Sequence, residues 1–247
     1  MTSLLYPGNT LSQNVLQDAV GQMERVLGIA AGQRRSICLR MDAGFGTDNN
    51  LAWTLKQGYQ MIAKNNSGRR AYAWSQHIVE WHEIKAAHRW IALPKEQLRF
   101  ALPTRTLAVR WLDREKKRFK HALYVTTDLH SPLAEIAHRY DLRGGFEVNI
   151  RDDKQGLLLT HRRKRQWHAQ EVLVLLNDLA HNFLSAFRSR VLIGTPLEAY
   201  GPYRLIQEVL SIPGKAILQG DRLVGLGLLQ SHPHAAILAD VLPRLWR

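Results

Sequence analysis

Two carboxylates in this sequence stand where they could do chemistry. Asp42 ends a short run, Arg35 to Met41, in which Ile37, Leu39 and Met41 alternate as in a strand, and it leads into Ala43-Gly44-Phe45-Gly46. Glycines beside a carboxylate let other groups approach it closely, and the C-terminal ends of strands are where open α/β sheets bind ligands. An Asp that merely starts a turn has the same appearance. Gly44-x-Gly46 lacks the third glycine of a dinucleotide loop, and no Gly-Lys-Ser/Thr follows, so it is weak as a nucleotide motif. Glu147 belongs to a second constellation, Tyr140, Arg143, Glu147 and Lys154, whose successive spacings are three, four and seven. At about 100° per residue the four fall within an arc of roughly 60° on one continuous helix. That face would carry a hydroxyl, two cations and a carboxylate; a solvated row of ion pairs would look alike. Gly144-Gly145 oppose continuity, because two glycines inside a helix cost about 1.5 to 2 kcal/mol relative to alanine. Either the helix breaks there, leaving Glu147 in the first turn of a new one, or tight packing demands the missing side chains.

The third feature is cationic. His161-Arg162-Arg163-Lys164-Arg165 is the densest of several basic clusters, and 34 Lys and Arg against 21 Asp and Glu leave a formal charge of +13. Such an excess calls for a polyanion and gives salt-sensitive phosphate affinity independent of sequence, although an exposed loop that is merely soluble has the same composition. Trp81, Trp90 and Trp111 offer faces on which an extruded base could stack, while their alternation along strands fits core packing better. Other chemistries fail on inspection. His82-Glu83 lacks the second His of the helical zinc motif, since Ala86 stands four residues on, and no Gly-x-Ser-x-Gly elbow exists for a nucleophilic serine.

The elements that must position these groups form an α/β pattern. Leu11 to Leu27 has helical periodicity closed by Gly28, and Thr47 caps a helix running to about Lys56. Tyr59 to Ala63 reads as a second strand, which predicts a parallel pair joined by a crossover. Ile78 to Ile84, Trp90 to Leu93, Leu98 to Leu102, Thr106 to Leu112 and Ala122 to Thr126 read as a strand meander, with a hairpin at Asp113 to Lys117. Helices return at Leu133 to Arg143, Phe146 to Gly156, Trp167 to Arg188 and Tyr203 to Leu210, followed by a hairpin around Gly220-Asp221 and a last stretch from Pro233 to Trp246. No run reaches the roughly 18 to 20 apolar residues of a membrane span. With no visible secretory signal and one cysteine, Cys38, the expectation is a cytoplasmic protein without disulfides.

Tyr140-x2-Arg143-x3-Glu147-x6-Lys154 resembles the Tyr-Arg-Glu-Lys signature of DDE transposases of bacterial insertion sequences. Leu39 to Phe45 resembles the strand that carries that family's second catalytic Asp, and Leu5-Tyr6-Pro7-Gly8-Asn9-Thr10, Val125-Thr126-Thr127-Asp128-Leu129 and Trp167-His168-Ala169-Gln170 add to the likeness, which runs from Leu5 to about Arg190. The resemblance implies an RNase H-like mixed sheet with flanking helices, interrupted by a mostly β insertion. It places a partial core at 1–75, the insertion at 76–121, the remaining core with the signature helix at 122–190, and a helical and hairpin region at 191–247. It implies DNA transposition by phosphodiester cleavage and strand transfer with two Mg2+ ions, Asp42 and Glu147 being catalytic metal ligands. Tyr140, Arg143 and Lys154 would hold phosphates of the transposon end, with Arg162, Arg163, Lys164 and Arg165 adding further DNA contacts. A homodimer, or a pairing with a full-length transposase, is the expected assembly. The family's first catalytic Asp has no counterpart, since only Asp18 and Glu24 precede Asp42 and both fall in the helical run. The expectation is therefore an N-terminally truncated transposase inactive by itself, or alternatively a non-catalytic DNA-binding remnant that inhibits a full-length enzyme.

Overall fold

The computed structural model describes residues 3–84, 88–113, 115–142, 144–158, 160 and 165–246, with only the backbone at 144–147, 149, 152 and 246. The chain divides into two compact units, Tyr6–Gly144 and a second formed by Met1–Leu5 with Gly145–Arg247.

The first unit opens with a 3-10 turn, Ser12–Asn14, and helix α1, Leu16–Leu27. Gly28 stops α1 in the left-handed region at φ 64°, its N–H reaching the Glu24 carbonyl, a conformation that costs glycine nothing. Strand β1, Cys38–Met41, precedes helix α2, Asp48–Lys56, whose Thr47 cap accepts the Asn50 N–H at 3.2 Å, and strand β2, Gln60–Lys64, follows. β1 and β2 pair in parallel, as the strand-helix-strand spacing predicts. Helix α3, Gly68–Ser75, capped by the Ser67 hydroxyl, was not apparent from periodicity.

Strands β3 (His82–Ile84), β4 (Arg89–Ala92), β5 (Arg105–Asp113) and β6 (Arg118–Thr126) are antiparallel to their neighbours, and all six strands form one sheet in the order β1-β2-β6-β5-β4-β3. The hairpin expected at Asp113 to Lys117 joins β5 to β6. Two strand expectations need correction. Ile78 to Ile84 contributes only its last three residues, and Leu98 to Leu102 is no strand. Leu98 and Phe100 pack singly against the core while the Leu98 N–H bonds the Thr106 hydroxyl, so the stretch is held by side chains and not by a ladder.

Helices cover both faces of the sheet, which is why β6 reads as an unbroken apolar run from Ala122 to Val125. Met61, Ala63 and Val125 face Leu16, Val20, Leu51 and Leu55 of α1 and α2. Ile62, Leu107, Val109, Ala122 and Tyr124 face Ile136, Ala137 and Tyr140 of helix α4, Leu133–Asp141.

The second unit contains helix α5, Gly144–Gly156, the long helix α6, Trp167–Arg190, a short helix α7, Pro202–Arg204, continued as a π turn over Leu205–Val209, and helix α8, Ala235–Val241. A hairpin of β7 (Gly214–Gln219) and β8 (Arg222–Leu228) turns at Gly220. Its core gathers Leu184, Val191, Leu192, Leu197, Leu205, Val209, Leu238 and Val241. Buried Asp153 of α5 meets His181 of α6 at 2.7 Å, one polar tie between the two helices.

Candidate active site

Asp42 is the first residue beyond β1, on the C-terminal edge of the parallel pair. The turn after it is built by short contacts. The Gly44 N–H donates to Asp42 Oδ1 at 2.9 Å, and the Phe45 N–H donates to the Asp42 carbonyl at 3.2 Å. A Cβ on Gly44 would come within 2.6 Å of Ser12 Oγ and 3.1 Å of Asp42 Oδ1. Gly46 is tighter still, since a Cβ there would lie 1.8 Å from the Lys64 carbonyl oxygen. Its own carbonyl accepts from the Asn66 N–H and from Asn65 Nδ2, each at 3.0 Å, which ties the turn to the end of β2. Asn65 also donates to Asp48, whose carboxylate takes both terminal nitrogens of Arg70 and is held below the usual carboxylate range chiefly by that guanidinium. This clamp was missed in the sequence, although Asn65-Asn66-Ser67 ahead of α3 is a recognisable capping signal.

Asp42 differs from the other aspartates around the sheet. Asp48, Asp113, Asp128 and Asp141 pair with Arg70, Lys120, Arg139 and Arg89. Among the described residues no cation pairs with Asp42, and only the Gly44 amide hydrogen-bonds its carboxylate. Asp128, from the segment that adds to the family likeness, does not supply a neighbour. Because β6 runs antiparallel to β2, its C-terminal end lies where β1 and β2 begin. There the Ser131 hydroxyl and amide, the His130 amide and Arg139 hold Asp128 down to about 2. Upstream, Asp18 and Glu24 both sit on α1, where Glu24 is tied to Arg34 and Tyr59.

The four signature residues do not share one helix. The helix breaks between α4, which ends at Asp141, and α5, which begins at Gly144, so Tyr140 lies in the last turn of the first and Glu147 in the first turn of the second. The glycine pair forms the start of α5, as the cost of interior glycines favours. Glu147 and Lys154 are seven residues apart along α5, and Lys154 is exposed. Tyr140 is buried, its ring 4.2 Å from that of Tyr124. Arg165 is exposed, whereas Arg143, Arg162, Arg163 and Lys164 lie outside the described residues. Of the tryptophans, Trp81 packs against Ala71, Ala108 and Leu123, and Trp111 against the α4 side of the sheet.

Among the described residues no three His, Cys, Asp or Glu side chains gather into a metal cage. Among the described residues Asp42 offers a carboxylate that no cation pairs with, one ligand where Mg2+ commonly takes one or two carboxylates with water and substrate phosphates. A family model described as Transposase DDE domain group 1 matches residues 1–247. The chain belongs to this transposase family. No curated protein and no solved structure matches it. Membership of the transposase family makes DNA transposition the process and DNA the partner, and DDE transposases generally use a divalent metal. The mixed six-stranded sheet with helices on its faces is compatible with a DDE nuclease-like fold. No helix among the described residues is long and apolar enough to cross a membrane.

Proposed function

We propose that this transposase chain carries the second and third carboxylates, Asp42 and Glu147, of an RNase H-like catalytic core of the Tyr-Arg-Glu-Lys class, with the strands between β2 and β6 as its β insertion. The observation that carries this reading is Asp42 itself, a carboxylate that no cation pairs with among the described residues, at the C-terminal edge of a parallel strand pair, in a turn whose glycines leave it approachable. Bound divalent ions would activate the attacking hydroxyl and stabilise the leaving oxygen of the phosphodiester. Asp42 and Glu147 are the ligands we assign to this chain in a two-metal site, and the reading leaves the first carboxylate of the triad unassigned. Lys154, two turns beyond Glu147, and exposed Arg165 would neutralise strand phosphates, together with Arg143, Arg162, Arg163 and Lys164. Tyr140 enters this reading as a packing residue of α4.

Affinity for DNA bearing transposon ends tests the reading without requiring turnover. Without metal, Asp42 faces the scissile phosphate as an uncompensated negative charge, so Asp42→Asn is expected to bind DNA on the order of fivefold more tightly than the unaltered chain, one screened charge contact of about 1 kcal/mol. Mg2+ is expected to raise the affinity of the unaltered chain and to leave that of Asp42→Asn unchanged. Identical responses of the two proteins would contradict the assignment.

A second reading is favoured by one observation: among the described residues no strand precedes β1, and both earlier acids lie on α1. A chain with two of three carboxylates would occupy transposon ends without cutting them, and so inhibit a complete transposase.

A further inference from the structure

The α3 side of the sheet holds a polar concavity. A cavity of about 780 Å3 opens between α3 and the β5–β6 hairpin, lined by Tyr72, Ser75, Arg110, Arg118, Lys120 and His121 among others. Arg110, Phe119 and His121 share this face by strand alternation, and the register sets Trp90 opposite Arg110. The Arg110 guanidinium lies 4.3 Å from the Trp81 ring centroid, 4.9 Å from Phe119 and 5.7 Å from Trp90, a cation held among three aromatic rings.

No carboxylate is among the described residues lining the cavity. Lys120 is already matched by Asp113 at 2.9 Å, but among the described residues Arg110 has no acidic partner, and burial pulls its guanidinium below the ordinary range. His121 is pushed the same way by burial and by Arg110, which keeps it neutral. Three buried polar atoms of lining residues, Arg110 Nε, Ser75 Oγ and His121 Nδ1, have no hydrogen-bond partner among the described residues. A half-buried guanidinium with no counter-ion among the described residues, next to an unused hydroxyl, is complementary to an anion with several oxygens, and the planar guanidinium suits phosphate.

The position matters as much as the chemistry. β6 runs antiparallel to β2, so the hairpin extends past the C-terminal ends of β1 and β2, toward the edge that carries Asp42. His121 lies four residues along β6 from Val125, which the pairing aligns through Ala63 with Met41, an advance of about 13 Å. That is well within one duplex turn of roughly 34 Å. We infer that this cavity binds a backbone phosphate of the DNA, with Arg110 and Ser75 as hydrogen-bond donors and the aromatic rings holding the guanidinium in place. The inference rests on the chain being a DNA-handling transposase.

The test is the affinity of the chain for a duplex fragment as a function of salt. Arg110→Gln is expected to weaken binding at low salt and to reduce the slope of log affinity against log salt by about 0.9, one phosphate contact. Arg222→Gln, on the exposed β8 strand, is the control and should leave the slope unchanged. Should Arg110→Gln fail to fold, Ser75→Ala removes only a hydroxyl and is expected to weaken binding about fivefold at constant slope. Unaltered affinity and slope in the folded variants would overturn the inference. So would millimolar inorganic phosphate shifting the tryptophan emission of the chain while Arg110→Gln leaves the DNA slope intact, because the site would then serve a free phosphate. If the unaltered chain shows no salt-dependent affinity for DNA, the transposase reading fails first and the cavity assignment with it.

Discussion

Incubated with Mg2+ and DNA carrying transposon ends, the 247-residue chain is expected to leave the strands intact. In a two-metal site one ion would activate the attacking oxygen and the other would stabilise the leaving oxygen, and the chain's carboxylates would hold them. In the proposed reading this chain supplies Asp42 and Glu147. Asp128 is at the opposite end of the sheet under Arg139, and Glu24 is occupied by Arg34 and Tyr59. Losing one ion removes several kcal/mol of charge stabilisation. At about 1.4 kcal/mol per tenfold in rate, the loss is about a thousandfold or more. Denaturing gels of end-labelled DNA read the outcome. The same preparation, added to a reaction run by a complete transposase, should slow it by occupying ends. Mg2+-dependent nicks that vanish in Asp42→Asn would show that the third ligand is present after all.

Gly46→Ala should be among the most destabilising single changes in the first unit. Its Cβ would sit 1.8 Å from the Lys64 carbonyl oxygen and 2.8 Å from the Lys64 carbonyl carbon, both backbone atoms at the end of β2. A flexible side chain could swing aside; a strand end paired to its neighbour cannot. Relief requires moving the turn, which would break the Asn66 and Asn65 hydrogen bonds to the Gly46 carbonyl. Overpacking of this kind costs about 1 to 3 kcal/mol where side chains can yield, and the rigid contact here puts the expected cost at about 3 kcal/mol or more. Denaturant unfolding measures it. Because the displaced turn carries Asp42, the Mg2+ response of DNA binding should fall as well. Gly58→Ala is a useful contrast, since no atom lies within 4 Å of its Cβ position and only its φ of 87° penalises the change.

How far the sequence could be read depended on whether a feature was local. The β1-α2-β2 unit was legible because alternation, the Thr47 cap and the helical spacing up to Lys56 all lie within thirty residues and agree. Asp42 was legible for the same reason, as the residue where alternation gives way to glycines. The signature was harder. Its spacing suits one continuous helix, and only the cost of two glycines argued for the break that separates Tyr140 from Glu147. Leu98 to Leu102 misled because alternating burial arises from packing against Thr106 and the core as readily as from a ladder. The Arg110 site was invisible in the sequence. Trp81, Trp90 and Phe119 come from three separate segments, and they surround one guanidinium only through the register that sets Trp90 opposite Arg110 and Arg110 opposite His121.

Iron-directed backbone cleavage addresses the pairing of the two proposed metal ligands most directly. Fe2+ enters oxygen-rich sites that take Mg2+, and hydroxyl radicals generated there with ascorbate and peroxide cut the chain beside the groups holding the ion. The account predicts two cuts in the DNA-bound chain, one near residue 42 and one near residue 147, both suppressed by excess Mg2+ and both lost in Asp42→Asn. A cut near residue 147 that persists unchanged in Asp42→Asn, or cleavage confined to other parts of the chain, would contradict it.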